Sequence, residues 1–177
     1  MKTLYLLRHA KSSWNNPNVP DRLRPLSGRG RRASALIGRY LQNSNDNIQS
    51  VVSSPARRAV DTANLVLDAI DGAPLLQQDE SLYFGGWPAY LDVIHSLPDS
   101  VDRALLVGHD PDIHSLVLKL AGLGTDKALG ALAEKFPTGA LAVLEFAGSD
   151  WGDIVPGTGH LRAFIRPRDL SLQRFKA

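Results

Sequence analysis

Apolar and polar residues fall in short blocks along this chain, and the blocks predict alternating strands and helices. Residues 3–7 form an apolar run that stops at Arg8-His9, which reads as a buried strand. Residues 12–24 are polar and carry Pro17 and Pro20, so they read as loop. Behind Ser27, a favourable N-cap, Leu36, Ile37, Tyr40 and Leu41 recur at helical spacing and predict a helix over 28–42. Residues 50–53 read as a second strand. Ser54-Pro55 reads as N-cap plus Pro at the first helical position, opening a helix that runs to about residue 70. An extended stretch over 75–82 is broken by Gly85-Gly86, and a helix is expected over 87–97. Residues 104–107 form another strand, ending in Gly108-His109. Asp110-Pro111 repeats the N-cap arrangement before a helix bearing Ile113, Leu116, Val117 and Leu120. Two late strands, 138–146 and 161–165, complete the pattern. This alternation argues for a three-layer α-β-α sandwich around a mostly parallel sheet, within one domain over 1–177.

Three of the predicted strands end in residues of one chemical kind: Arg8-His9, then Ser54 leading to Arg57-Arg58, then Gly108-His109. In an open α/β sheet, ligands bind beyond the carboxyl ends of the strands. Two of the clusters run straight into helix N-termini, whose free N–H groups and positive dipole end favour anions. A single strand-end His is a bland polar stop, and an Arg pair on a helix is usually solvated. Three such clusters at equivalent points of one pattern imply a site for a phosphate-sized anion.

The same segments resemble the motifs of the histidine phosphatase superfamily, which includes the cofactor-dependent phosphoglycerate mutases. "LLRHAKSSW" is similar to its Arg-His-Gly motif, with Ala10 in place of Gly, and "PLSGRGRRAS" to its Pro-Leu-Thr/Ser…Gly segment. "SSPARRAVDTA" is similar to Ser-x-x-x-Arg-Ala-x-x-Thr-Ala, aligning Ser54, Arg58 and Thr62, and "LLVGHDP" to the second-histidine motif. The spacing of "LYFGGWPAYL", "VGHDP" and "FPTGALAVLEF" resembles most the short bacterial phosphohistidine phosphatase branch. The resemblance implies a phosphoglycerate mutase-like fold. It makes His9 the nucleophile and Arg8, Arg58 and His109 the clamp on the phosphoryl oxygens. Asn15 stands where the mutases carry Asn, and Glu80, with Asp79 beside it, stands nearest the family's usual general acid.

The chemistry suits these residue types. Phosphoryl transfer asks mainly for positioning and for balancing charge on the equatorial oxygens, which two guanidinium forks provide. A histidine nucleophile must be neutral; free imidazole titrates near pH 6.5 and neighbouring cations push that down. Water then hydrolyses the phosphohistidine. Neither a cofactor nor a metal is called for in this scheme. The leaving nitrogen of a phosphoramidate protonates easily, so phosphohistidine as substrate dispenses with a strong acid, whereas a phosphate ester needs Glu80. Around the centre, Arg57 either shares the clamp or is a solvated neighbour. Lys11 and Ser12 edge the pocket or line the loop. Asp110 is expected to cap its helix and His114 to be structural. His95 and His160 are expected at the surface, and Trp14 and Trp87 at the mouth or, for Trp87, in the core.

Composition narrows the function classes. The 177 residues are 44% hydrophobic and 21% charged, with net charge +2 and no cysteine. That excludes disulfides, thiolate metal sites and a Cys nucleophile, and makes the cytoplasm the default compartment. The mild charge gives no reason to expect nucleic acid or a membrane as partner, and no segment reads as a signal peptide. Arg29 to Arg32 and the basic tail over 166–177 read as solvated. The leading expectation is a metal-independent phosphatase working through phospho-His9 on a phosphohistidine-bearing protein. The alternatives are a phosphomonoesterase of the same superfamily acting on a small phosphorylated metabolite, and a catalytically silent binder of phospho-ligands.

Overall fold

The computed structural model describes residues 1–44 and 46–173. Seven strands and six α-helices follow in the order β1 (Lys2–Arg8), α1 (Gly28–Asn43), β2 (Ser50–Ser53), α2 (Arg57–Leu67), β3 (Leu76–Gln78), α3 (Gly86–His95), β4 (Arg103–Gly108), α4 (Asp112–Leu120), β5 (Ala121–Gly124), α5 (Asp126–Glu134), β6 (Leu141–Phe146), β7 (Gly159–Ile165) and α6 (Pro167–Gln173). Short 3-10 turns lie at Asp21–Leu23 and Glu80–Leu82. The strands form one sheet, ordered β3-β2-β4-β1-β6-β7-β5. β3, β2, β4 and β1 are mutually parallel, β6 runs antiparallel to β1 and β7, and β5 is parallel to β7. The sheet is mostly parallel, as the alternating pattern implies.

β1 and β4 are buried on both faces, which is why they read as unbroken apolar runs rather than alternating ones. Successive β1 side chains feed two separate cores. Leu4 and Leu6 join Tyr90 and Ile94 of α3 and Ile113, Leu116 and Val117 of α4 on one face. Tyr5 and Leu7 join Ile37 and Leu41 of α1 and Ala59, Ala63 and Val66 of α2 on the other. These are the three layers. The α1 N-terminus forms as expected, with Ser27 Oγ accepting from Gly30 N at 3.1 Å.

The structure revises several elements. α2 starts at Arg57, and Ser54 Oγ accepts only a 3.3 Å bond from Ala56 N, because the Ser54 hydroxyl is engaged elsewhere. Asp110 does not cap α4, which begins at Asp112; its carboxylate lies 3.8 Å from both Arg8 and His114. β5 and α5 escape the sequence reading. β5 holds two glycines in four residues, and α5 buries one residue, so neither shows a strong period. Residues 167–173 of the basic tail are helical, and residues 174–177 lie outside the described residues. Among the described residues, no helix is long and apolar enough to cross a membrane.

Candidate active site

β1, β2 and β4 are adjacent and parallel, so the polar residues after them meet at one edge of the sheet. Backbone bonds fix the ends of β1 and β4 to one another: His9 N donates to Gly108 O (2.9 Å), and Gly139 N bonds the carbonyls of Arg8 and His9 (3.1 Å each). Thr62 ties α2 to the same point, its hydroxyl accepting from Ala10 N at 3.0 Å and donating to Arg58 O at 2.6 Å. Gly108 is required here, since a Cβ would run into the Tyr90 hydroxyl. That hydroxyl accepts from His109 N at 3.0 Å and donates to Leu82 O at 3.0 Å.

The two imidazoles stand with ring centroids 5.2 Å apart. His9 is buried and its Nδ1 lies 2.8 Å from Ala10 O. A carbonyl only accepts, so Nδ1 carries the proton and Nε2 keeps its lone pair. Arg58 Nε donates to that Nε2 at 3.3 Å. His109 Nδ1 lies 3.5 Å from Arg58 Nη2 and Nε2 lies 2.7 Å from Ser54 Oγ, which assigns the proton to Nε2. Burial, followed by the fields of nearby cations, pushes His109 down to about 4. His9 falls to about 3: burial leads, His109, Arg58 and Arg8 add to it, and the Ala10 carbonyl opposes it. Both rings are neutral at physiological pH. Arg58 is 3% exposed. Arg8 is half-buried, gives Nη1 to Phe136 O at 2.7 Å, and holds a buried Nε with no partner among the described residues. Two cations, an unsatisfied donor and an unprotonated imidazole nitrogen make a cradle for an anionic, electrophilic group.

Arg8, His9, Arg58 and His109 are thus brought together. The other candidates are not. Glu80 is 72% exposed and paired with Arg22. The 3-10 turn that begins at Glu80 points it to solvent. Arg57, one position before Arg58, faces away on α2 and pairs with Asp61 at 3.5 Å. Asn15 is exposed in the 12–25 loop, its amide N bonded to Ser13 Oγ. Ser12 is buried and its backbone bridges to Leu26. His95 is exposed and bonds Ile154 O, while His114 bonds Leu132 O, a structural role. Trp87 packs half-buried on the core, and Trp14 lies exposed under the Arg24 guanidinium, 3.6 Å away.

Two residues that the sequence did not single out join the cluster. The Asp21 carboxylate accepts from Arg58 Nη2 (3.1 Å), Arg24 Nη2 (2.7 Å) and Tyr83 OH (2.8 Å), and its carbonyl accepts from Arg58 Nη1 at 2.8 Å. Partial burial would raise the Asp21 carboxyl, but these donors outweigh it and hold the group below the usual carboxylate range. The faint signal for Asp21 is a carboxylate three residues before an arginine in a loop bounded by Pro20 and Pro25. Tyr83 stands edge-on to His109, centroids 5.6 Å apart. Next to it, Phe84 sits at φ 64°, a left-handed conformation that is costly for a bulky residue, and is 70% exposed.

The sheet gathers Arg8, His9, Arg58 and His109 at its carboxyl edge, and the chain belongs to the histidine phosphatase superfamily. The model of that superfamily, branch 1, matches residues 4–87. An uncharacterized protein of Mycobacterium tuberculosis is 38% identical over 164 residues, spanning 92% of this chain and all of that one. Among solved structures, a protein assigned as the phosphohistidine phosphatase SixA of Nakamurella multipartitia aligns with TM-score 0.81 at 27% identity, covering 94% of this chain and 96% of its own. A protein histidine phosphatase SixA complexed with tungstate shares the fold at TM-score 0.76 and 22% identity, over 95% and 99% of the two chains. The fold is phosphoglycerate mutase-like, and the enzyme is a phosphatase, hence a hydrolase.

Proposed function

We propose that the whole chain acts as one phosphatase domain that removes the phosphoryl group from phosphohistidine on a partner protein, through a covalent intermediate on His9. The observation that carries this reading is the unprotonated Nε2 of His9, held by the Nδ1–Ala10 bond and faced by Arg58. His9 Nε2 attacks phosphorus as the N–P bond to the substrate imidazole breaks; that imidazole takes a proton from solvent. Arg8 and Arg58 hold the phosphoryl oxygens, and neutral His109, its Nε2–H given to Ser54, lines the cradle beside Arg58 rather than donating to the oxygens. Water then attacks phospho-His9, releasing inorganic phosphate and restoring the Nε2 lone pair. Neutrality of His9 near pH 7 supports the first step, and the cationic clamp supports both.

Three features favour phosphohistidine over a phosphate ester. Glu80, the acid an ester would need, is exposed and paired with Arg22. The cluster is bordered by the exposed Phe84, which suits a macromolecular surface. The 27%-identical SixA neighbour carries the same assignment. The test is phosphate release in EDTA from a phosphohistidine-bearing protein and from p-nitrophenyl phosphate, each with wild type and His9→Ala. Fast His9-dependent turnover of the protein with slow ester cleavage is expected. The reverse preference would move the assignment to small phosphomonoesters, and binding without turnover to a silent phospho-ligand binder.

A further inference from the structure

Charge is unevenly spread over this chain. No Asp or Glu stands between Asp21 and Asp46, while Arg22, Arg24, Arg29, Arg31, Arg32 and Arg39 all fall there. Net charge is only +2, so the rest of the chain is net acidic. Arg29, Arg31 and Arg32 crowd the N-terminal turns of α1, which hold no carboxylate. That is the wrong end for cations: the helix dipole and the free N–H groups favour anions there, and like charges three or four positions apart repel. The α1 arginines are exposed, and among the described residues none of them pairs with a carboxylate. Arg31 bonds only the Leu26 carbonyl, at 3.1 Å. Natural chains break local rules of this kind mainly at functional sites.

The fold extends this face and joins it to the site. At about 3.6 residues per turn, Arg29, Arg32 and Arg39 share one side of α1. With Arg168 of α6 they line a groove that has no carboxylate in its walls. The adjoining groove is lined by Lys11, Arg29, Lys135, Arg166 and Arg168 against one carboxylate, Glu134. Gly139 is the junction. Its N–H bonds the carbonyls of Arg8 and His9, and a Cβ placed on it would lie 3.0 Å from Pro167 of α6, 3.7 Å from Ala33 of α1 and 3.9 Å from Ala10. The basic face therefore starts beside the His9 cluster. α1 exposes no large hydrophobic side chain of the kind that enters a membrane, and no aromatic ring for base stacking stands between Arg29 and Arg39.

We propose that the α1–α6 face is the docking surface for the protein that presents the phosphohistidine, and that this partner is acidic around its phosphorylated residue. The inference rests on the phosphohistidine reading of the site. The cationic field raises the encounter rate with an acidic surface, and the cradle handles the phosphoryl group alone. Preference for a protein over a small phosphoryl compound then arises outside the cradle, as a lower KM.

The test uses two synthetic peptides, each with one phosphohistidine. One is flanked by Asp and Glu and the other by Lys, with about eight residues on each side, a reach of about 26 Å. Inorganic phosphoramidate, which has no flanks, reports the site itself. Wild type is compared with a triple variant, Arg29→Gln, Arg32→Gln and Arg39→Gln. Wild type should favour the acidic peptide by about tenfold or more in kcat/KM at low salt, through KM. The preference should fade as salt shortens the screening length from about 10 Å at 0.1 M to about 3 Å at 1 M. The variant should lose most of the preference, hydrolyse phosphoramidate as wild type does, and melt no lower, since it sheds like charges from a helix N-terminus. Equal kcat/KM on the two peptides, or a preference that survives in the variant, overturns the docking surface and leaves the site intact. Inhibition by single-stranded RNA that the variant relieves, with no preference between peptides, would assign the face to nucleic acid instead. Hydrolysis of phosphoramidate with neither peptide turned over would overturn the phosphohistidine reading underneath.

Discussion

The strand ends and the loops near them are built differently. The strand-end cluster, His9, His109 and Arg58, is buried, and each side chain is anchored through a second atom to backbone or hydroxyl. The loops around it differ: Asp21 is exposed and held by side-chain pairs, and Glu80 and Asn15 lie exposed outside the cluster. Buried, doubly anchored groups are preorganised, and preorganised electrostatics is where catalytic energy is largest. Exposed pairs contribute little to stability and adjust easily. The contrast fits the chemistry proposed for the strand ends, and substitutions should separate the two regions.

The sharpest separation is at His9, the proposed nucleophile. His9→Ala should lower phosphate release on the order of 10³-fold or more, because the covalent route is lost altogether. His95→Ala, at an exposed histidine bonded only to Ile154 O, should stay near wild type. Equal losses in the two variants would break the comparison. Arg58→Ala should follow with a loss of about 10²- to 10³-fold. Arg58→Lys should recover little of it, since lysine keeps the charge but loses both the fork and the Nε–H that faces His9. A lysine variant close to wild type would mean that charge alone matters there.

The same division explains what could be read from the chain. The strand-end clusters follow apolar runs with a clear pattern, so they are legible in the sequence itself, while the choice of Arg58 over Arg57 comes only from the resemblance to the family motif. Adjacency of β1, β2 and β4 is a property of the sheet order, with β4 between the other two, which the alternation of strands and helices does not fix. Loop residues carry no period. Asp21 reaches Arg58 across 37 positions, and Tyr83 reaches Asp21 across 62, contacts set by where two 3-10 turns happen to fold. Glu80 stands out by its position in a motif, but that turn carries it into solvent. β5 and α5 are illegible for a related reason: they lie at the sheet edge with little buried surface to impose a pattern.

Burial of the two imidazoles also has a stability signature. Both histidines have folded pKa values pushed down, to about 3 and about 4, against about 6.5 in an unfolded chain. The unfolded state therefore binds more protons than the folded one between these values. The stability tied to the neutral rings is complete above pH 6.5 and is lost as pH falls towards 4, by about 1.4 kcal/mol per pH unit for each histidine. His9→Gln should make the fall of the urea midpoint between pH 6 and pH 4.5 shallower by one such share. An identical slope in both proteins would mean that His9 is not held neutral by burial.

The smallest effects belong to the rim. Arg57→Ala removes a 3.5 Å surface pair with Asp61, and Glu80→Gln removes one with Arg22. Neither side chain reaches the cluster, and exposed pairs of this kind contribute little. Both variants should keep kcat/KM on phosphohistidine within about twofold, near the resolution of a kinetic comparison. Glu80→Gln is the more informative of the two. A phosphate ester needs a proton at its leaving oxygen, and Glu80 would have to swing inward from Arg22 to supply it. Loss of ester cleavage with retention of phosphohistidine turnover would show that this loop residue enters the site for one substrate class and stays out for the other. Loss of both would move Glu80 from the loops into the catalytic cluster and redraw the division between them.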